Sequence, residues 1–381
     1  MKVNIIGAGP AGLYAGILIK CLRPDAEVKI FEQTTADATF GFGVVFSDQA
    51  LAFLQDDDPD TAALIEPHIK RWSDISVVHR NQRVLIDGIG FAGIKRLDLL
   101  RLMQKRANEG GVRLSFRSRI ESVDQLPEAD LVVAADGLNS IVRGSMPAVF
   151  NESIQHLSNR FAWFGVEREY DTLTQTFITS PAGPMNAHHY SYKAGLSTFI
   201  IEMTPDTFEN TQFSDMTESE YREQCEQYFA HQLGTAKLIS NHSVWRRFPV
   251  LSCQTWHHDN MVLVGDALHT AHFSIGSGTR LALEDVIALV KSLQLTEWDI
   301  SAALPAYQAI RQPILEKIIT AARLSAHWYE HFDQHMELEP WQFALSYIQR
   351  AGRIDSERLQ QLAPNFTQQL IARGIESDTL K

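Results

Sequence analysis

The chain has 381 residues, 45% of them hydrophobic and 21% charged, which suits a globular protein with a large core and room for two packed domains. A formal net charge of −12 without any basic run argues against a nucleic-acid partner, and no stretch is long and apolar enough to span a membrane. Three scattered cysteines, Cys21, Cys225 and Cys253, form no CxxC pair and point to a reducing cytoplasm.

Val3 to Ile6 reads as a short buried strand that runs into Gly7-Ala8-Gly9-Pro10-Ala11-Gly12 and then a helix. Gly7 suits a tight turn, Gly9 lets the backbone approach a pyrophosphate, and Gly12 lets the helix lie close to the strand. The helix start at Pro10 and Ala11 offers free N–H groups and a partial positive charge to that anion. Val28 to Phe31 forms the next strand, and Glu32, followed by Gln33, stands at its carboxyl end where it can accept from a ribose hydroxyl. Together these features specify a dinucleotide site. Their glycines, with no basic leader and no small-residue cleavage pattern, set the segment apart from a signal peptide. Cys21, within the first helix's pattern, reads as a small buried residue.

The run Asp56-Asp57-Asp58-Pro59-Asp60 lacks the alternating ligands and glycine of a calcium loop and reads as a solvated loop. Arg96 opens a helix extending to about Ala107. A basic side chain there opposes the helix dipole, so a nearby anion would account for it. Asp130 to Arg143 holds another buried strand that ends in an Asp136-Gly137 turn. From about residue 155 to 250 the pattern turns strand-rich: Arg160 to Val166, Thr174 to Thr179, Pro184 to Tyr192 and Leu196 to Met203, the last two joined by a turn at 193–195.

Alternation puts His188, Tyr190 and Tyr192 on one face of their strand, with His189 and Ser191 on the other. One face should roof a substrate, so His188 or Tyr190 is expected to hydrogen-bond or deprotonate a ring substituent. Plain aromatic packing is the competing reading. Trp245 to Val250 carries Arg246, suited to a carboxylate or phosphate, and Phe248. Met261 to Val264 is a buried strand ending at Gly265-Asp266. Gly276-Ser277-Gly278-Thr279 then opens a helix through Leu281 to Leu293, and beyond Ala302 the chain reads as helices. The fourteen histidines show no metal spacing, so no metal site is expected.

In order and spacing, the segments at 3–13, 130–143 and 261–279 resemble those of the FAD-dependent aromatic hydroxylases with the para-hydroxybenzoate hydroxylase fold, and the likeness spans nearly the whole chain. It implies an α/β fold: a Rossmann-like FAD-binding domain of residues 1–154 and 251–300, an inserted mixed β-sheet substrate domain of 155–250, and C-terminal helices, 301–381, packed on the FAD domain. It also implies non-covalent FAD. Gly265 and Asp266 would hold the ribityl chain, and Gly276, Ser277, Gly278 and Thr279 would face the pyrimidine edge. Gly43, Val44 and Val45 would cover the flavin edge, Arg96 would reach the phosphate and ribityl region, and Asp136 and Gly137 would lie beside the nucleotide.

At the family's proline position stands Phe273, and at its asparagine position Arg280. These departures resemble the branch that hydroxylates salicylyl-CoA, 2-aminobenzoyl-CoA and the tryptophan derivatives of violacein biosynthesis. The chemistry implied is hydroxylation of an electron-rich ring by O2 through a flavin C4a-hydroperoxide, with NAD(P)H docking transiently. The candidate catalytic set is His188, Tyr190 and Phe273. The candidate substrate contacts are Tyr192, Arg246, Phe248 and His272. The expected substrate is an aryl-CoA thioester or an indole- or aniline-type metabolite, with Arg246, Arg247, Arg350 and Arg353 available for CoA phosphates. A halogenase or reductase, or a non-enzymatic binding protein, would share the FAD motifs. The expected partners are O2, NAD(P)H and the small aromatic substrate, with neither nucleic acid nor membrane, in a monomer or homodimer.

Overall fold

The computed structural model describes residues 1–39 and 41–376, with residues 47–51 described by their backbone alone. A six-stranded sheet runs in the order His257–His258, Met261–Leu263, Leu131–Ala134, Lys2–Ile6, Glu27–Phe31, Arg113–Ser115. All neighbours are parallel except the first pair. Its central strands are almost continuously apolar, with Val3, Ile5, Val133 and Ala134 buried, as strands covered on both faces must be. Chain order reverses at Lys2–Ile6, whose two neighbours are the next strand in sequence and a strand more than a hundred residues on. The crevice beyond the carboxyl ends of these strands is where such sheets bind ligands.

Two long helices, Pro10–Leu22 and Gly278–Leu295, pack on each other and bring their first turns to that crevice. Gly265 makes the junction. At φ +60, a Cβ there would lie 3.1 Å from Ala282 Cβ and 3.3 Å from Ala11 Cβ.

The second sheet is ordered Leu238–Ile239, Glu152–Val166, Leu196–Met203, Gly183–Lys193, Leu173–Ser180, Ile75–His79, Gln82–Ile86, with Arg246–Cys253 paired on Glu152–Val166. Ile75–His79 and Gln82–Ile86 therefore belong to this sheet, although they precede residue 154. They attach through a parallel pair with Leu173–Ser180, and a parallel pair needs a long crossover that leaves no local signature. One face packs Phe164, Phe199, Ile201 and Met203 on the helices Pro205–Thr211 and Glu218–Tyr228. A third sheet, Gly43–Ser47, Phe91–Lys95 and Lys70–Trp72, packs on strand Gly183–Lys193 of the second sheet and on helix Arg96–Glu109.

The C-terminal helices do not all pack on the nucleotide domain. The first half of helix Ile300–Glu330 does so, through Leu304, Tyr307 and Leu315. From Trp328 onward the chain packs on the second sheet, where Phe177 is edge-on to Trp328 at 5.8 Å and to Phe343 at 4.7 Å. Periodicity identifies an apolar helix face but not the surface that will cover it. Two local expectations are also corrected. Cys21 is exposed. The acidic run is no solvated loop, because Asp58 caps helix Pro59–Ile65, is 5% exposed and pairs with Arg106 at 2.6 Å.

Candidate active site

The glycine turn after Lys2–Ile6 is set by contacts that leave no room for a side chain. Gly7 has φ +97, and a Cβ on Gly12 would fall 1.9 Å from the Gly7 carbonyl oxygen. Gly9, the N-cap of helix Pro10–Leu22, would instead project a Cβ into open space, as would Gly278 at the start of helix Gly278–Leu295. Both helix starts thus present bare backbone to the crevice. Glu32 fixes the turn: Oε2 accepts from Ala8 N–H at 2.8 Å, and Oε1 accepts from Thr34 N–H at 2.8 Å. Gln33 is exposed just beyond it.

Arg96 Nε is buried without a partner among the described residues, and its charge faces Asp266, whose side chain lies open. Asp136 Oδ2 accepts from Ile141 N–H at 2.8 Å and so starts a short helix, while Oδ1 is buried and unpartnered. Gly137, at φ +77, is open. The strand Gly43–Ser47 closes over this region, with Val45 Cγ1 3.2 Å from the position of a Cβ on Gly276. Two bare helix N-termini, an orphan guanidinium nitrogen and an open acid fit a flavin dinucleotide, with Gly9 to Gly12 toward the pyrophosphate and Asp266 and Gly276 to Thr279 toward the isoalloxazine end.

The Asp266 turn is held from behind by a buried charge network. Asp285, fully buried, accepts from Gly265 N–H at 3.1 Å and from His269 Nε2 at 2.7 Å on Oδ2, and from Arg311 Nε at 2.8 Å on Oδ1. Burial alone would raise its pKa, but His269 and Arg311 together hold the carboxyl below its ordinary range. Sequence reading missed this acid, although an Asp within the apolar pattern of helix Gly278–Leu295 was a visible sign.

The second sheet turns its other face toward the crevice. Phe161, Phe248 and Phe273 form an aromatic cluster there, the candidate recess for a substrate ring, with Phe161 to Phe273 at 5.0 Å and Phe248 to Phe273 at 6.0 Å. His188 lies edge-on to Phe273 at 5.2 Å and stacked on Tyr329 at 5.0 Å, and His272 lies against Phe248 at 4.9 Å. Four candidates, His188, His272, Phe248 and Phe273, are thus brought together. Tyr190 and Tyr192 are not. The Tyr190 hydroxyl donates to Gly43 O at 3.1 Å, and the Tyr192 ring packs against Gly43, so both brace the strand Gly43–Ser47. Arg246 is exposed at the sheet edge, opposite Phe161.

The proposed arginine patch divides. Arg350 donates inward, to Ser274 O at 2.9 Å and Ser325 Oγ at 3.1 Å, and Arg353 lies by Lys317 and Arg280. Groups the sequence did not offer fill the floor of the recess: Glu202, Asn159, Gln175 and Tyr329. Asn159 Nδ2 donates to Glu202 Oε1 at 3.0 Å and to Tyr329 O at 2.8 Å. The signal for Glu202 was a lone acid in the apolar strand Leu196–Met203.

Burial pushes His188 and His189 down to about 3, with nearby basic groups adding to this, and pushes His272 down to about 4 against an opposing pull from Glu202. In each case the folded state binds fewer protons than the unfolded state, whose histidines titrate near 6.5. Stability is therefore fully present above about 6.5 and falls as the pH drops toward 3 or 4. Glu202, pushed up to about 7 by burial, acts in the opposite sense between about 4.5 and 7. His189 is a clean probe, because its Nε2 bonds to Thr176 Oγ1 at 3.0 Å on the face away from the recess. His189→Gln should remove up to about 1.4 kcal/mol per pH unit from the acid-side slope of urea-unfolding free energy. An unchanged slope would refute this assignment.

A family model described as an FAD binding domain matches residues 60–322. The chain is 38% identical over 361 residues to a salicyloyl-CoA 5-hydroxylase of Streptomyces sp, covering 92% of this chain and 70% of that protein. It is 34% identical over 334 residues to a 3-hydroxy-4-methyl-anthranilyl-[aryl-carrier protein] 5-monooxygenase of Streptosporangium sibiricum, covering 86% and 89% of the two. Its fold is similar to that of 2-methyl-3-hydroxypyridine-5-carboxylic acid oxygenase, with a TM-score of 0.72 at 18% identity over 92% of this chain and 95% of that one.

Proposed function

Since the chain belongs to the FAD binding domain family and is an FAD-dependent monooxygenase of aromatic compounds, we propose that NAD(P)H reduces it and that its substrate is an aryl thioester or a comparably large amino-aromatic compound. Bound FAD would supply the redox chemistry by which two electrons of NAD(P)H reduce O2, one oxygen atom entering the ring and the other leaving as water. The chain's own residues cradle the dinucleotide, hold the ring in the aromatic recess and exclude water from it. Cys21, Cys225 and Cys253 are all unpaired, which fits a reducing compartment.

The placement of Arg246 carries the substrate reading. It is paired directly opposite Phe161, so both side chains share one face, and it is exposed with no partner among the described residues. Arg160 and Arg247 form the next opposed pair on the same two strands. A ring against Phe161 would therefore leave any anionic carrier beside arginine at the sheet edge. Salicyloyl-CoA and an aryl-carrier-bound anthranilyl group, named for the two relatives, each combine a ring with such a carrier. An indole- or aniline-type metabolite with an acidic side chain satisfies the same geometry.

Holoenzyme supplied with NAD(P)H, labelled O2 and either salicyloyl-CoA or 2-aminobenzoyl-CoA should give a ring-hydroxylated product carrying the gas-derived label. Arg246→Ala should raise KM for the thioester at least about tenfold, the weight of a charged hydrogen bond, with FAD content unchanged. Label arriving from water alone would end the reading, and an unmoved KM would remove Arg246 from it.

A further inference from the structure

Glu202 and His188 face each other at the floor of the recess in a way that the packing of the sheet does not require. Glu202 stands opposite Phe161 on one neighbouring strand and opposite Asn186 on the other. Its Oε1 is taken by Asn159 at 3.0 Å, but Oε2 is buried without a partner among the described residues. His188 Nε2 is likewise buried and unpartnered, 3.7 Å from that oxygen. This is too long for a hydrogen bond.

The far side of the imidazole fixes its proton. The Tyr329 hydroxyl donates to Gln175 Oε1 at 3.1 Å, so Gln175 Nε2 is the atom that meets His188 Nδ1, at 2.9 Å. Nδ1 accepts, and Nε2 therefore carries the hydrogen. A donor and an acceptor, each anchored from behind, converge on one point.

The surrounding charges do not neutralise the acid. The titratable groups facing it are His188 from strand Gly183–Lys193, His272 from the loop before the turn Phe273–Ile275, and Tyr329 and Glu330 from helix Ile300–Glu330. Arg350 lies behind the two histidines. Burial keeps both histidines neutral at physiological pH, and Glu330 only adds negative potential. A carboxyl in such a place costs stability, and groups of that kind concentrate where ligands are handled.

We infer that Glu202 and His188 are the specificity pair of the recess: Glu202 Oε2 accepts from, and His188 Nε2–H donates to, a hydroxyl or primary amino group on the substrate ring. The same carboxylate repels a ring bearing a free carboxylate at that position. This rests on the aromatic-substrate reading above and narrows it from rings in general to hydroxy- or amino-arenes that carry no acid at the inner end. Accepting a hydrogen bond from the substituent also raises electron density in the ring, which is what an electrophilic oxygen donor needs. Phe273, partly buried and edge-on to His188, stands beside the pair.

The test is calorimetric titration of the FAD-loaded protein with 2-naphthol, naphthalene and 2-naphthoate. It is run at about pH 8, above the value of about 7 to which burial raises the Glu202 carboxyl. The unmodified protein should bind 2-naphthol at least about tenfold more tightly than either other probe. Glu202→Gln should weaken 2-naphthol, strengthen 2-naphthoate and leave naphthalene unmoved. His188→Leu should weaken 2-naphthol without strengthening 2-naphthoate.

Naphthalene is the internal standard, since damage to packing would shift all three probes together. Equal binding of naphthol and naphthalene, naphthoate affinity unmoved by Glu202→Gln, or a parallel loss of all three would each overturn the assignment. Failure of every probe to bind the unmodified protein would also remove the aromatic recess itself, and is thereby distinct from loss of discrimination alone.

Discussion

Gly12→Ala is expected to give a folded protein that does not retain FAD. The added methyl group would fall 1.9 Å from the Gly7 carbonyl oxygen and 3.1 Å from its carbon, which are backbone atoms that no rotamer change can move. Gly7 sits at φ +97 with Ala135 O against the position of its own missing Cβ, so the turn has little freedom to absorb the clash. Helix Pro10–Leu22 must therefore back away from the turn, and its first N–H groups leave the pyrophosphate position. Hydrogen bonds from backbone to a charged group contribute about 1.5–3 kcal/mol each. Losing two should weaken FAD by at least about a hundredfold. Gel filtration followed by the ratio of flavin to protein absorbance measures retention, and far-ultraviolet circular dichroism confirms the fold. A variant that stays fully yellow would show that the helix start is not the phosphate cradle.

Asp285→Asn should produce the largest loss of stability. Asp285 is fully buried and answers both Arg311, on Oδ1, and His269, on Oδ2. An amide keeps the shape but removes the charge, leaving Arg311 with only Glu284, at 2.9 Å. Breaking a buried pair costs about 3–5 kcal/mol when it leaves a bare cation, and the lower end of that range is expected here because Arg311 keeps Glu284. Gly265 N–H loses its anionic acceptor in the same step, so FAD affinity should fall along with stability. Adding Arg311→Met should recover part of the unfolding free energy, since the under-compensated buried charge is then gone. Urea unfolding of the single and double variants checks both statements. A loss below about 1 kcal/mol for Asp285→Asn would mean that the network is not a buried charge cluster.

The expectations whose local geometry the structure shows share one property: they concern residues close together in the chain. Gly7, Gly9 and Gly12 lie within one turn, Glu32 follows the adjacent strand, and Gly265 with Asp266 ends another. Their geometry is dictated by backbone conformation and helix termini, which act over a few residues. The strands Leu173–Ser180, Gly183–Lys193 and Leu196–Met203 were legible because alternation is local, and the placement of His188 on the crevice face follows from the same rule.

The remainder depended on which segments meet. Tyr190 lies on the expected face, yet its hydroxyl is committed to Gly43, 147 residues away, so the third sheet and not the strand decided its role. Asn159 joins Glu202, 43 residues on, to Tyr329, 170 residues on, and Gln175 is held by Tyr329 across 154 residues. Arg350 looked available for phosphate, but it turns inward to Ser274 and Ser325. By itself the sequence determined the glycine turns and bare helix starts of a candidate dinucleotide site, because these are built from short-range backbone geometry. Only the tertiary structure decided which polar groups meet beside the aromatic rings, because groups scattered over 170 residues come together only through sheet register and helix docking.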